Sequence, residues 1–281
     1  MNAIDAWNGT TYHRVIPIRD KPLLVTATQR GNLLDVTVTG QSLPPETKQK
    51  VVNTLERLLG IRQDLSVFYE FSSHDTRLGE LVGRFRGFKP PRFATVFEAL
   101  VNGITCQQLS LTVGIIFLNR LAERCGLPFG QGMYAFPRPE DLARLDPTDL
   151  RPLGYSGSKA RALIGVAQSI ADGQLDLEEL FGLDNRQCLD RLIALRGVGR
   201  WTAEYVLLRG LGRIDVFPGD DVGAKNSLER WLHLRKKLDY KRTEKVLSKW
   251  KGYGGMIFFH LLLKGLDEAG DLSHRDPSSD P

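Results

Sequence analysis

Short β-prone runs open the chain. TYHRVIPI (11–18), PLLVTAT (22–28) and NLLDVTVTG (32–40) are separated by the turn signals Asp20-Lys21-Pro22 and Arg30-Gly31-Asn32, which predicts an antiparallel meander. After Pro44-Pro45, the stretch ETKQKVVNTLERLLG puts Val51, Leu55, Leu58 and Leu59 at helical spacing ahead of a Gly stop. LSVFYEF, residues 65–71, reads as a further strand. From Phe93 onward the strand signal vanishes, and helical periods punctuated by Gly and Pro take over. The fold class expected is α+β. A small N-terminal antiparallel α+β domain occupies residues 1–88 and a mainly α-helical domain 89–268, with GFKPPR (87–92) as the boundary. The polar, Pro-rich tail at 269–281 is expected to fray.

Composition narrows the class. With 281 residues, 42% of them hydrophobic and 25% charged, the chain reads as a soluble globular protein. Its longest apolar run, Met256 to Leu263, contains His260 and falls far short of the roughly 18 residues that span a bilayer, so no membrane partner is expected. The opening MNAIDAWNGT lacks the basic start and apolar stretch of a secretory signal, and a cytoplasmic location is expected. Cys106, Cys125 and Cys188 are too few and too scattered for a disulfide framework, a four-thiolate zinc site or an iron-sulfur cluster. No HxxxH or HxH pair occurs, so no metal site is expected from side chains. A net charge of +5 is mild, but residues 185–264 hold 17 Lys and Arg against 8 Asp and Glu. Such a segment suits a polyanion; a set of solvated helix faces is the alternative.

Candidate chemistry lies in that basic segment. In LRGVGRWTAEYVLLRG, Leu195 to Gly210, two glycines join the apolar helix RQCLDRLIAL to a second helix near Trp201. Backbone N–H groups of a turn without Cβ atoms can approach a phosphate, so the stretch 186–210 reads as a helix-hairpin-helix. A helix-terminating glycine explains one of the two equally well. Downstream, FPGDDVG (217–223) sets Asp220 and Asp221 between a Pro-Gly turn and the amphipathic VGAKNSLERWL. An acid at such a turn can be an N-cap. Two acids in a basic segment repel phosphate, so a carboxylate that faces a developing positive charge is the functional reading. GYSGSK (154–159) is a second Gly-rich turn: Lys159 could touch a phosphate, and Ser156 or Ser158 could cap the following helix.

Through RGVGRWTAEYVLLRG and DVFPGDD the chain resembles the helix-hairpin-helix DNA glycosylases, and within them the bacterial 3-methyladenine DNA glycosylase II branch, the AlkA type. The resemblance extends to FEALVNGITCQQLS (97–110), LGYSGSKARALIGVAQSI (153–170), WKGYGGMIFFHLLLKG (250–265) and the N-terminal meander, nearly the whole chain. It implies a monofunctional glycosylase that hydrolyses the N-glycosidic bond of flipped-out alkylated purines of the 3-methyladenine and 7-methylguanine type in base excision repair. The family's catalytic Asp maps to Asp221, twenty positions after Trp201, with Asp220 the neighbouring alternative. Lyase members carry a nucleophilic Lys just after the hairpin, where this chain has Trp201, so water is the implied nucleophile.

Cationic bases suit aromatic faces, a contact of roughly 0.5–2 kcal/mol, and the resemblance places Trp201, Tyr205 and Tyr253 at the base pocket. Periodicity alone also allows Trp201 and Tyr205 to be a packed helix face. The DNA-binding set implied is Gly197, Val198, Gly199 and Arg200 of the hairpin with Gln107, Gln108 and Leu109. Of these, Gln108 or Leu109 is the residue that enters the helix stack, and a helix-cap network is the plainer account of Gln107 and Gln108. No cofactor is implied beyond a monovalent cation held by hairpin carbonyls, and the partner is damaged double-stranded DNA bound by a monomer. Two rivals stand beside this reading. One is the same scaffold acting on deaminated, etheno or oxidised bases; the other is a non-catalytic duplex-binding module in which Asp221 only caps a helix.

Overall fold

In the computed structural model, which describes residues 3–39 and 43–272, strands β1 (Asp5–Trp7), β2 (Thr11–Ile18), β3 (Lys21–Arg30) and β4 (Leu33–Val38) form the expected meander. All three pairings are antiparallel, with Ile18 opposite Lys21 at the β2–β3 turn. Helix α1 (Pro45–Leu59) covers one face of this sheet, and Val51, Leu55 and Leu58 bury against Ile16 and Val25 as a first core. It stops where expected, at Gly60, whose φ of 62° is left-handed and where a Cβ would lie 2.3 Å from the Pro90 carbonyl oxygen. The polar tail beyond residue 272 lies outside the described residues.

Residues 65–71 are helical, not extended. They belong to α2 (Ser66–Ser73), which is followed by α3 (Thr76–Arg84). Phe68 and Ser72, four apart, share the buried face of α2, and the Phe68 ring sits 5.1 Å from Tyr253 and 5.6 Å from His260. Burial on that helical stripe overrides the β-prone composition.

The rest is mainly helical: α4 (Val96–Cys106), α5 (Leu111–Cys125), α6 (Pro139–Ala143), α7 (Gly157–Ala171), α8 (Asn185–Ile193), α9 (Arg200–Val206), α10 (Val222–Leu232), α11 (Tyr240–Leu247) and α12 (Gly254–Glu268). One small departure from expectation is the two-stranded ladder of β5 (Pro128–Gly130) and β6 (Met133–Tyr134), so the strand signal does not end at Phe93. Its turn runs through three consecutive left-handed residues, Gly130, Gln131 and Gly132.

Two helical cores form. Leu100 and Ile104 of α4, Leu121 of α5, Leu163 of α7 and Leu192 of α8 close one of them. The other joins Phe68, Leu78 and Leu81 of α2 and α3 to Leu228 of α10 and Met256 and Ile257 of α12. Residues 65–82 thus adjoin the sheet in sequence but bury with the C-terminal helices. Among the described residues no helix is long and apolar enough to cross a membrane.

A buried ion pair docks the sheet on the first helical core. Arg14 Nη2 donates to both carboxylate oxygens of Glu98, at 2.7 and 2.8 Å, and Nη1 donates to Asp5 at 3.1 Å. Removing one partner of such a pair leaves a desolvated charge behind, so Glu98→Ala should lower the unfolding free energy by about 3–5 kcal/mol in a denaturant titration. A loss below about 1 kcal/mol would mean that the contact does not hold the sheet.

Candidate active-site cleft

The hairpin is built as expected. After α8, residues 194–199 reverse the chain and α9 starts at Arg200. Gly197 has φ 83°, and a Cβ there would lie 2.5 Å from the Ala162 Cβ on α7, so turn geometry and packing both demand glycine. Gly199 differs, with φ −93° and open space around an added Cβ, which leaves the approach to the start of α9 unobstructed. Buried Val198 pins the turn to the core. Arg200 lays its guanidinium 4.3 Å from the centroid of the Tyr240 ring, with Nη1 4.0 Å from Asp220.

The end of α4 is bonded onto this hairpin. Gln107 Nε2 donates to the Gly197 carbonyl at 2.9 Å and to Thr202 Oγ1 at 2.8 Å, a tie across the fold, not a cap within α4. Gln108 follows in a left-handed conformation, φ 55°, and together with Leu109 it lines the cleft. Half-buried Lys159 turns its ammonium onto the chain: Nζ donates to the carbonyls of Thr105 and Gln107, at 2.8 and 2.7 Å, and burial pushes its pKa down. A cation on the final carbonyls of α4 is favourable in its own right. Ser156 caps α7, as the alternative reading of that turn held.

Asp221 and Trp201 meet across the loop. Trp201 Nε1 donates to Asp221 Oδ2 at 2.9 Å, and Asp221 Oδ1 accepts from Ala224 N at 2.8 Å. The acid is therefore the N-cap of α10 and still lines the cleft. The Trp201 and Tyr205 rings stack with centroids 5.4 Å apart and planes 20° apart. Asp220 lines the same cleft, beside Arg200. Between the α4 end, the hairpin, these rings and α12 lies a cleft of about 1250 Å³.

Tyr253 is not brought to it. The residue precedes α12, and its ring packs 4.8 Å from Phe71 and 5.1 Å from Phe68. Backbone contact is the reason: at Gly255 a Cβ would lie 2.7 Å from the Ile214 carbonyl oxygen, so α12 starts pressed beneath the loop and Tyr253 turns toward α2. Phe258, Leu261 and Leu262 of the same helix line the cleft instead.

Sequence reasoning missed two further residues. Arg209, in the π-helical turn Leu207–Leu211, reaches the cleft with its guanidinium 4.9 Å from the Phe93 ring, 5.6 Å from Phe259 and 6.0 Å from Tyr205. Buried Glu204 accepts from Gly219 N at 2.9 Å and from the Tyr240 hydroxyl at 2.6 Å, and burial pushes its carboxyl up to about 7. Their one signal was a charge within the apolar helix AEYVLLRG.

Residues 101–252 match the family of HhH-GPD superfamily base excision DNA repair proteins. The chain belongs to this superfamily. A DNA-3-methyladenine glycosylase of Bacillus subtilis is 30% identical over 217 residues, which cover 76% of this chain and 72% of the relative. The solved structure of a 3-methyladenine DNA glycosylase from Archaeoglobus fulgidus superposes with a TM-score of 0.81 at 26% identity, covering 96% of this chain and 91% of that one. The Schizosaccharomyces pombe 3-methyladenine DNA glycosylase solved in complex with abasic DNA gives a TM-score of 0.60 at 25% identity, over 72% and 97% of the two chains. The span matched to the HhH-GPD family holds the hairpin, Trp201, Tyr205 and Asp221; the apolar wall from α12 is added from outside it.

The two hairpin glycines should behave differently. Gly197→Ala must hold a left-handed conformation, about 1–2 kcal/mol, and displace Ala162, so it should lower the melting temperature and duplex affinity. Gly199→Ala should leave the melting temperature unchanged, and equal melting temperatures for the two variants would refute the packing role of Gly197.

Proposed function

We propose that the protein is a monofunctional DNA glycosylase that takes an alkylated purine, extruded from duplex DNA, into the cleft and hydrolyses its N-glycosidic bond. One observation carries this reading: the Asp221 carboxylate is held at the cleft from two sides, by Trp201 and by the start of α10, beside the stacked Trp201 and Tyr205 rings. A base within the duplex is out of reach, so the nucleotide must flip out, at a few kcal/mol that damage partly lowers. The hairpin N–H groups, Arg200 and the Gln107–Leu109 turn would meet the flanking strand, with Gln108 or Leu109 filling the gap left in the stack. Hard carbonyl oxygens at the turn, those of Leu195 and Gly197 each with one hydrogen bond and a second lone pair free of it, suit a monovalent cation that adds positive charge beside phosphate. One molecule of the protein suffices for this chemistry.

As the C1′–N bond lengthens, positive charge develops on the sugar, and the Asp221 carboxylate, already oriented, stabilises it. Water then adds at C1′, its proton passes to solvent, and the base leaves with the bonding pair. An N-alkylated purine is a cation and leaves without a general acid, so one carboxylate is enough. No lysine lines the cleft among the described residues, and Trp201 occupies the post-hairpin position that the resemblance assigns to the nucleophilic lysine of lyase members. One observation favours a broader base range. The Arg209 guanidinium at the cleft repels a cationic ring and can donate to a neutral base with an exposed acceptor. Release of hypoxanthine or ethenoadenine at rates near that of 3-methyladenine would establish that range.

Asp221→Asn should bind duplex DNA as before, because Asn also caps helices, yet release 3-methyladenine from methylated DNA on the order of 100-fold more slowly. Full activity in that variant, with Asp220→Asn inactive, would transfer the role by one residue. Borohydride treatment during turnover should trap no covalent protein–DNA adduct, and an efficiently trapped adduct would overturn the monofunctional assignment.

A further inference from the structure

Behind the loop that carries Asp221 lies a carboxyl with no part in the mechanism above. Glu204 sits one turn along α9 from Arg200 and is only 5% exposed. Among the described residues it has no salt-bridge partner, and it spends both oxygens on two neighbours: the Gly219 N–H of the loop and the Tyr240 hydroxyl at the start of α11. Tyr240 is held in turn from both sides. Arg200 stacks on its ring, and Gly219 lies so close to that ring that a Cβ there would be 2.7 Å from Cε2. The turn that follows is closed by Asp221 N donating to the Pro218 carbonyl at 2.9 Å, so a shift of Gly219 is passed on to Asp221 within two residues.

We propose that Glu204 is a positioning residue, a buried clamp that joins the 217–221 loop to α9 and α11 and thereby sets where the Asp221 carboxylate stands in the cleft. This rests on the role given to Asp221 above. A carboxylate accepting two hydrogen bonds holds them more strongly than a neutral group does. Once protonated, Glu204 must turn its own hydrogen toward one of the two neighbours, and the Tyr240 contact reverses or weakens.

Protonation is within reach at neutral pH. Burial pushes the carboxyl up to about 7, the Tyr240 hydroxyl and Gly219 N–H act against it, Asp220 adds to it, and Arg200 on its own helix opposes it. Glu244 of α11, Asp215 ahead of the loop, Arg186 of α8 and Lys251 ahead of α12 line the same 530 Å³ cavity behind the loop. The raised value means that the ionised form, which makes both bonds, is the costlier one in the folded protein. Folding stability from this group is therefore complete below the unfolded pKa and is lost as pH rises toward about 7, while the clamp tightens over the same range. Loop order and stability thus change in opposite directions as this group titrates.

The test compares wild type, Glu204→Gln and Glu204→Ala in single-turnover release of 3-methyladenine from methylated duplex DNA, at about pH 6 and about pH 8. Glu204→Ala should slow release about 10-fold to 100-fold with duplex Kd unchanged, as expected when a reacting group is misplaced. Glu204→Gln should rescue most of that loss at the acid side, and the ratio of wild-type to Gln rates should rise at least about 3-fold toward the alkaline side. That ratio cancels any titration of the substrate. Hydrogen exchange supplies the readout independent of activity: the Gly219 amide should exchange faster in Glu204→Ala while the amides of α9 do not change. A wild-type rate in Glu204→Ala, a ratio flat with pH, or an unchanged Gly219 amide would each overturn the clamp. Wild-type protein that releases no base would overturn the role of Asp221 alone, and the exchange result would still decide the clamp.

Discussion

The cleft depends on one carboxylate bonded from two helices that grow out of different cores. Trp201 rides on α9, whose buried residues close the core of α4, α5, α7 and α8. Ala224 belongs to α10, which packs with α2, α3 and α12. Asp221 accepts from both, so the N-cap of the second core is also the hydrogen-bond partner of the first. A partly buried indole N–H needs an acceptor, and the bond that satisfies it fixes the Trp201 ring on Tyr205. The recess between the two cores is the space beside that bond.

Close backbone approach keeps the recess in shape. Where α12 begins, Gly255 lies against the backbone of residues 214–216, and the Gly255 amide donates to the Ile214 carbonyl at 2.8 Å. Any side chain there would lift α12, and with it Phe258 and Leu261, away from the cleft. On the opposite side Lys159 and Gln107 tie the end of α4 to its neighbours through backbone carbonyls, so the turn at Gln108 is presented from a fixed base.

The positive charge of the C-terminal segment is less free than its total suggests. Lys237 pairs with Glu229, Arg242 with Asp239, Lys249 with Asp75 and Arg200 with Asp220. The two pairs exposed on both sides, Arg242–Asp239 and Arg200–Asp220, are worth about 0–1 kcal/mol, so a phosphate can take over their cations at little loss. The acids thus space the basic side chains without withdrawing them from a polyanion.

Much of this was legible in the sequence, wherever the deciding interaction is local. The meander, α1 with its Gly60 stop, the hairpin at Gly197 and the cap at Asp221 follow from periodicities and turn residues that act within a few positions, and the structure has them all. Long-range packing decided the rest. Residues 65–71 became a helix because Phe68 buries against α12, nearly two hundred positions away. Tyr253 left the cleft because the adjacent glycines press α12 under the loop, and Lys159 turned inward because the end of α4 offered it two carbonyls. Burial of Glu204 has the same origin, since nothing near it in sequence announces Gly219 or Tyr240 as partners. Sequence alone determined which short segments turn, coil or cap, because those preferences are held within one stretch of backbone. Tertiary structure decided which side chains share the cleft, because that depends on the surface each helix meets, and no segment carries that surface in its own residues.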